Sequence, residues 1–252
     1  MAPVSEDVAP GSGTWLAVEG ETLVGADFSG RELVSFTGIG ATFVNCRFEK
    51  LNVMNMGFGH GRVRSYYRNC TFDGSVLVAG GADHVRLESC SFRNVKISGW
   101  ESREFDLIDC VFSGILRRCL FDGRVSNVFG KLVEGREGNE IVGNDFSQAS
   151  LHGVWFSGGI DLTKQRLPGG PKYLYLPDAV AAIKEARSFI ATLPEDEIET
   201  GRIFLKMFER LAETGQRQQF FRTSDCLRGS GHAGEKVVEF WRTSSLAAEP
   251  DQ

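Results

Sequence analysis

The sequence predicts a mainly β fold, a square solenoid of stacked parallel coils, followed by a small α-helical region. Three observations predict it. Hydrophobic residues recur every five positions, and Cys-x-Phe triplets recur at Cys46, Cys70, Cys90 and Cys110. The five-residue period then stops at Leu167-Pro-Gly-Gly-Pro171. Repeats of this kind decide the fold before any single element does.

The start, residues 1–15, is acidic and carries Pro and Gly, and reads as a flexible tail. From residue 16 the first block of repeat centres runs Val18, Leu23, Phe28, Leu33, Gly38, Phe43, Phe48, Val53, Phe58. The register then slips by four at Gly57-Phe-Gly-His-Gly61, a candidate bulge. A second block runs Tyr67, Phe72, Leu77, Ala82, Leu87, Phe92, Ile97, Ser102, Leu107, Phe112, Arg117. Of these 20 centres 17 are hydrophobic against a 42% background, so the period is not an accident of composition. The residue two before each centre is mostly small or apolar, as at Ala26, Ala41, Cys46, Cys70, Val85, Cys90 and Cys110.

A period of five is neither helical nor that of a free strand. Two inward residues flanking one outward residue make a very short strand, and the rest of the unit turns a corner. Four units close a coil of about 20 residues, which accounts for the spacing of Cys70, Cys90 and Cys110. Coils stacked at about the 4.7–4.9 Å strand spacing bury one continuous column. Its expected members are Phe28, Phe48, Phe72, Phe92, Phe112 and Phe146, with Cys46, Cys70, Cys90 and Cys110 beside them.

After Ile115 the register slips again, to Cys119, Phe121, Ile141, Phe146, Leu151 and Phe156. Lys131 and Arg136 fall on five-spaced positions in between, so about 122–138 reads as an irregular loop leaving the coil. The solenoid thus spans 16–166. Residues 167–245 read as a helical cap, since an open solenoid end presents unpaired strand edges that need covering. Asp178 is the expected N-cap of a helix bearing Ile183, Ala186, Phe189, Ile190 and Leu193 on one face, stopped by Pro194. A second helix, to Glu213, carries Ile203, Phe204, Met207, Phe208 and Leu211, with Gly215 as its stop. Phe220/Phe221 and Glu235–Arg242 suggest further short helices, and 246–252 a disordered acidic tail. The same helices could serve instead as a homodimer interface.

Units such as Ala26-Asp-Phe28-Ser-Gly, Asn144-Asp-Phe146-Ser-Gln and Ala149-Ser-Leu151-His-Gly resemble the pentapeptide-repeat family, whose unit is roughly A(D/N)LXX. The resemblance covers about residues 16–162, with Cys often standing for Ala and Phe for Leu. It implies a right-handed quadrilateral parallel β-helix. Some members of that family imitate double-stranded DNA with an acidic surface, bind type II topoisomerases and protect them from quinolones.

Composition and charge narrow the function classes. Lys+Arg number 28 against 33 Asp+Glu, and residues 1–165 hold 16 basic and 20 acidic side chains. That spread does not suit direct nucleic-acid binding. There is no signal-peptide pattern at the start and no apolar run of membrane-spanning length, so a cytoplasmic protein is expected. Six Cys in 252 residues is no disulfide framework, and reduced thiols are expected. The Cys column could be imagined as a metal site, but tetrahedral zinc wants four ligands converging on a point and a ladder does not converge. A buried structural role fits better. Gly229-Ser-Gly-His-Ala-Gly234 matches a dinucleotide-binding pattern but lies outside any βαβ unit, so it reads as a flexible loop. The histidines His60, His84, His152 and His232 show no triad or metal spacing. Trp100 and Trp155 read as core or corner residues, and Trp15 and Trp241 fall outside the coils.

No catalytic, cofactor-binding or metal-binding residue is therefore assigned. The expectation is a non-enzymatic scaffold that binds a protein partner. A topoisomerase-binding DNA mimic is the alternative, and a carbohydrate-acting β-helix enzyme a third. Residues 20 apart should stack on adjacent coils, which pairs Asp83 with Arg103, Arg86 with Asp106, Arg68 with Glu88 and Asp73 with Arg93. Opposite charges at such positions stabilise the register, whereas a DNA mimic needs rows of carboxylates.

Overall fold

Short parallel strands stack coil upon coil into two sheets of a β-solenoid. The computed structural model describes residues 5–8, 14–80, 84–101, 104–125 and 136–250. The long sheet joins, in order, Ser5–Val8, Thr14–Glu19, Glu32–Ile39, Asn52–Gly57, Val76–Ala79, Ser91–Ser98, Val111–Asp122 and Asp145–Ser157. The short sheet joins Thr22–Val24, Thr42–Val44, Ser65–Arg68, Val85–Glu88, Phe105–Ile108 and Ile141–Val142. The long sheet bends across two faces of the coil in its early strands and three from Val111 on, and the short sheet forms another. In the first coils, bridges from Asp27 through Arg47 and Thr71 to Ser91 hold the face that the long sheet takes over at Ser91. Ser5–Val8, expected in a flexible tail, instead pairs antiparallel with Thr14–Ala17 and covers the free edge of the first coil.

Where the pattern is clean the coils repeat at 20 residues: Leu87 lies beside Leu107 and Phe92 beside Phe112. Phe43 lies beside Tyr67, so this coil is longer, and the extra residues sit between Phe58 and Ser65. The corner ahead of the Cys column requires a left-handed residue on every coil. Gly25, Asn45, Asn69, Ser89, Asp109 and Gly143 fill it, with φ between 51° and 72°. Asn, Asp and Ser tolerate that conformation because short polar side chains can hydrogen-bond to local backbone.

The second slip lies earlier than the sequence pattern places it. Leu116, not Arg117, stands beside Ile97 and faces inward, while Arg117 points to solvent. Gly114 is the cause. Its φ is +93°, and a Cβ there would lie 2.3 Å from the Val95 carbonyl oxygen, so the turn closes one residue sooner. Gly38, a repeat centre without a side chain, makes room for Tyr67, whose hydroxyl would be 2.7 Å from a Cβ at that point.

Inside, Phe28, Phe48, Phe72, Phe92, Phe112 and Phe146 stack ring on ring. Successive centroids are 4.7–4.9 Å apart and the planes within 10° of parallel. That is the strand spacing itself, so the side-chain and backbone ladders rise together. Phe43 stacks on Tyr67 and Phe58 on Trp100 in neighbouring columns, and Trp100 is fully buried.

After the last coil, Tyr173–Leu176 pairs antiparallel with Gln219–Arg222. Phe220 and Phe221 therefore lie in a strand, not in the helix expected from their apolar character. Alternation along this strand pair decides it. Tyr175 and Phe220 enter the solenoid core, whereas Leu174, Leu176 and Phe221 enter a second core. Four helices close that second core: α1 Ala179–Ile190, α2 Glu195–Glu213, α3 Thr223–Cys226 and α4 Gly231–Thr243. The Asp178 carboxylate caps α1 by accepting from the Ala181 N–H at 2.9 Å. On α2, Phe204 and Phe208 are buried but Ile203 is 58% exposed, which narrows the apolar face read from sequence.

The structure departs from two further expectations. Gly229–Gly234 is no loop, since Gly231–Gly234 open α4, where a Cβ at Gly234 would meet Ser230 and Phe204. Residues 246–250 are not a loose tail: the Ala248 N–H donates to the Tyr175 carbonyl at 3.0 Å, and Leu246 and Ala247 pack on the second core. The expected loop at about 122–138 lies partly outside the described residues, at 126–135, and Asp122 still belongs to a strand.

Phe92 has a stacked ring above and below. Phe92→Ala should therefore cost about 3–5 kcal/mol by urea unfolding. A cost below about 1 kcal/mol would show that the ring stack contributes little to holding the coils together.

Candidate interaction surfaces

The thiols of the predicted column lie inside the shaft. Cys46, Cys70, Cys90 and Cys110 are at most 1% exposed, and each donates to carbonyl oxygens, Cys110 to Ile108 at 3.3 Å and Cys46 to Leu23 at 3.4 Å. They rise as a ladder along the shaft and do not converge. Desolvation pushes the Cys46 and Cys90 thiols above the ordinary range and Cys119 up to about 11. Cys70 is raised chiefly by its hydrogen bond with Cys90, and burial takes Cys226 up to about 12. These are thiols held protonated, poor nucleophiles and poor ligands.

The column ends in polar residues. Asn144 follows Cys110 on the next coil, accepts from the Cys110 N–H at 3.0 Å and donates to the Leu107 carbonyl at 2.8 Å. Gln165 follows Asn144 and accepts from its side-chain amide at 3.0 Å. These amides satisfy backbone groups inside the last coils, where the parallel ladder runs out.

On the outer faces, charges of opposite sign meet across adjacent coils. Arg86 lies 3.2 Å from Asp106, Arg68 3.8 Å from Glu88 and Arg93 4.0 Å from Asp73. Asp27 and Arg47 add a fourth pair at 3.5 Å. Asp83 and Arg103 lie outside the described residues. The exposed pairs contribute register more than energy.

Asp106 is different, because it is 3% exposed on the outside of the short sheet. Arg64, Arg86 and Arg136 all pair with its carboxylate, and the Glu140 N–H donates to it at 2.9 Å. It therefore ties together the bulge before Ser65, the short sheet and the segment 136–140. His84 and Glu104 form a second buried pair one corner away. The sequence pattern gave Arg86 with Asp106 but missed Arg64, Arg136, His84 and Glu104, which sit at slips and corners. Their 20-residue spacing, from Arg64 through His84 to Glu104, was the available signal.

The open edge of the last coil is met side chain by side chain. Thr214 accepts from the Gly158 N–H, Gln216 from those of Gly159 and Ile160, and Gln218 from that of Leu162. Tyr173 accepts from the Leu151 N–H at 3.0 Å and Asp225 from the Gly153 N–H at 2.6 Å. Trp155, expected in the core or a corner, lies half-buried on the outer face of the long sheet against Phe221. Beside it, Leu120, Ile203, Met207 and Leu211 line a groove of about 500 Å³ along α2.

No family model matches the chain, and no curated protein matches it. Among solved structures it is similar to QnrB1, a plasmid-mediated fluoroquinolone resistance protein. The two share 16% identity over 60% of this chain and 77% of that one, with a TM-score of 0.21. No helix among the described residues is long and apolar enough to cross a membrane.

Two outcomes follow from this geometry. A thiol reagent should modify none of the six cysteines in the native protein and all six after denaturation; rapid native labelling would mean the column is open. Asp106→Asn should cost about 3 kcal/mol by urea unfolding, at the lower end for a broken buried pair because its arginines are partly solvated. An unchanged midpoint would reduce the network to a surface decoration.

Proposed function

We propose that this chain is a non-enzymatic scaffold of the pentapeptide-repeat type, whose rigid shaft presents its outer faces to a protein partner. One observation carries the reading: the shaft's reactive side chains are engaged in building it. Its thiols point inward, burial pushes those of Cys46 and Cys90 above their ordinary pKa, and the carboxylates of Asp27, Asp73, Glu88 and Asp106 face arginines on neighbouring coils. What the shaft offers outward is a stiff surface of fixed spacing. Apolar side chains interrupt its charge, with Met54 69%, Val76 39% and Val78 43% exposed on the long sheet.

The DNA-mimic reading implied by the family resemblance needs carboxylates in unbroken rows, whose summed field imitates a phosphate backbone. Rows that alternate in sign largely cancel beyond a Debye length, about 10 Å at 0.1 M salt. The paired rows therefore support a scaffold over a mimic of that kind.

Crosslinking of the full chain in native extract, followed by mass spectrometry, tests the proposal. The expected crosslinks run from Lys50 and Lys96 on the shaft to one protein partner. Crosslinks confined to Lys184, Lys206 and Lys236 would move the partner to the helices and overturn it. A DNA gyrase supercoiling assay tests the mimic separately, and micromolar protein should leave the rate unchanged.

A further inference from the structure

We infer that the cleft between the last coils and the C-terminal module is a binding site for a phosphomonoester, a role distinct from the scaffold proposal above and independent of it. Arg117, Arg118, His152, Gly153, Trp155, Asp225 and Arg228 line an open cleft of about 340 Å³. Arg117 lies beside His152 in the parallel register of the long sheet. Arg118 occupies a left-handed corner, φ 52°, where Gly99 and Gly153 stand on neighbouring coils. Arg222 reaches in from the end of the Gln219–Arg222 strand and contacts the His152 ring.

The charge here departs from the pairing that most shaft arginines show. Arg47, Arg68, Arg86 and Arg93 each face a carboxylate on an adjacent coil. The side chains of Arg117, Arg118 and Arg228 have no ion pair or hydrogen bond among the described residues, although the chain as a whole is acidic. The cleft's one carboxylate, Asp225, spends an oxygen on the Gly153 N–H. Three unpaired guanidiniums round one concavity repel each other until an anion enters.

Charge and shape select the anion. A phosphomonoester brings about two negative charges and three acceptor oxygens, enough to engage several guanidinium forks. A carboxylate brings one charge and two oxygens. The cleft is wider than a phosphoryl group, so the group it is attached to can lie against Trp155. Burial, then Arg222 and Arg117, hold the His152 imidazolium below its ordinary range, with Lys172 adding to them and Asp225 opposing. A bound dianion would lift that ring back up.

The test titrates the full chain with inorganic phosphate, O-phosphoserine and AMP at constant ionic strength, against chloride, by calorimetry and amide NMR. Saturable binding is expected, with shifts at Gly153 and Trp155 and a higher His152 pKa in the bound form. The arm that binds tightest identifies what carries the phosphoryl group. Arg117→Gln and Arg228→Gln should each weaken it at least fivefold and together at least twentyfold. Arg118→Gly, compatible with the corner, should weaken it comparably, whereas Arg187→Gln on α1 should not. No saturation above chloride in any arm overturns the assignment, as does unchanged affinity in a folded double variant. If that variant does not fold, wild-type shifts decide: perturbations lying away from Arg117, Gly153 and Trp155 overturn it.

Discussion

Everything in this structure depends on a coincidence of spacings: backbone hydrogen bonds and ring stacks both rise by one strand separation per coil. A phenylalanine stacked at 4.7–4.9 Å on the next is in van der Waals contact at the distance the parallel ladder imposes. No coil can bury its own inward residues alone, because each is only one strand deep. Stability is a nearest-neighbour property, transmitted from Phe28 to Phe146. A coil may lengthen or shorten only where the change leaves this ladder untouched. The extra residues before Ser65 and the early turn at Gly114 both satisfy that condition.

The same constraint sends chemistry outward and to the ends. A column filled by aromatic rings and thiols has no room for a substrate, and its polar members, Asn144 and Gln165, are consumed in closing the backbone. Outer positions repeat at the coil spacing, so like charges would stack directly and repel, and the alternation of sign along Arg86 and Asp106 or Arg68 and Glu88 follows. Asp106 extends the principle to irregular segments. Once Arg64 and Arg136 lie over the short sheet, the carboxylate beneath them is desolvated, and three arginines from three segments make its burial tolerable.

The repeat made the solenoid legible in the sequence because inward positions are chemically uniform over many coils. Phe28 through Phe146 and the four column cysteines are found by counting. What could not be read depends on single glycines and on contacts between segments far apart in the chain. The slip at Gly114 is steric, a clash with Val95 from the preceding coil that no periodicity encodes. Phe220 and Phe221 looked helical because two adjacent apolar residues fit either period, and only the partner strand at Tyr173–Leu176 sends them to opposite sides. The cleft arginines were invisible for a third reason. Arg117 stood on a repeat centre by count, and its outward direction appears only after the slip is placed correctly.

That last point links fold to site. Had the register continued without the turn at Gly114, residue 117 would face the core, where a guanidinium could not remain. Shifting the coil by one residue puts Leu116 inside and Arg117 outside beside His152, and brings Arg118 to the corner below Gly153. Gly153 in turn is held by Asp225 of the C-terminal module, and the two-stranded ribbon of that module keeps one face in each core. The cleft is therefore built by both parts of the chain, its floor by the solenoid and its wall by α3 and the turn after it. A single glycine in the shaft sets where its charges point, and a strand pair shared by two cores keeps the opposing wall in place.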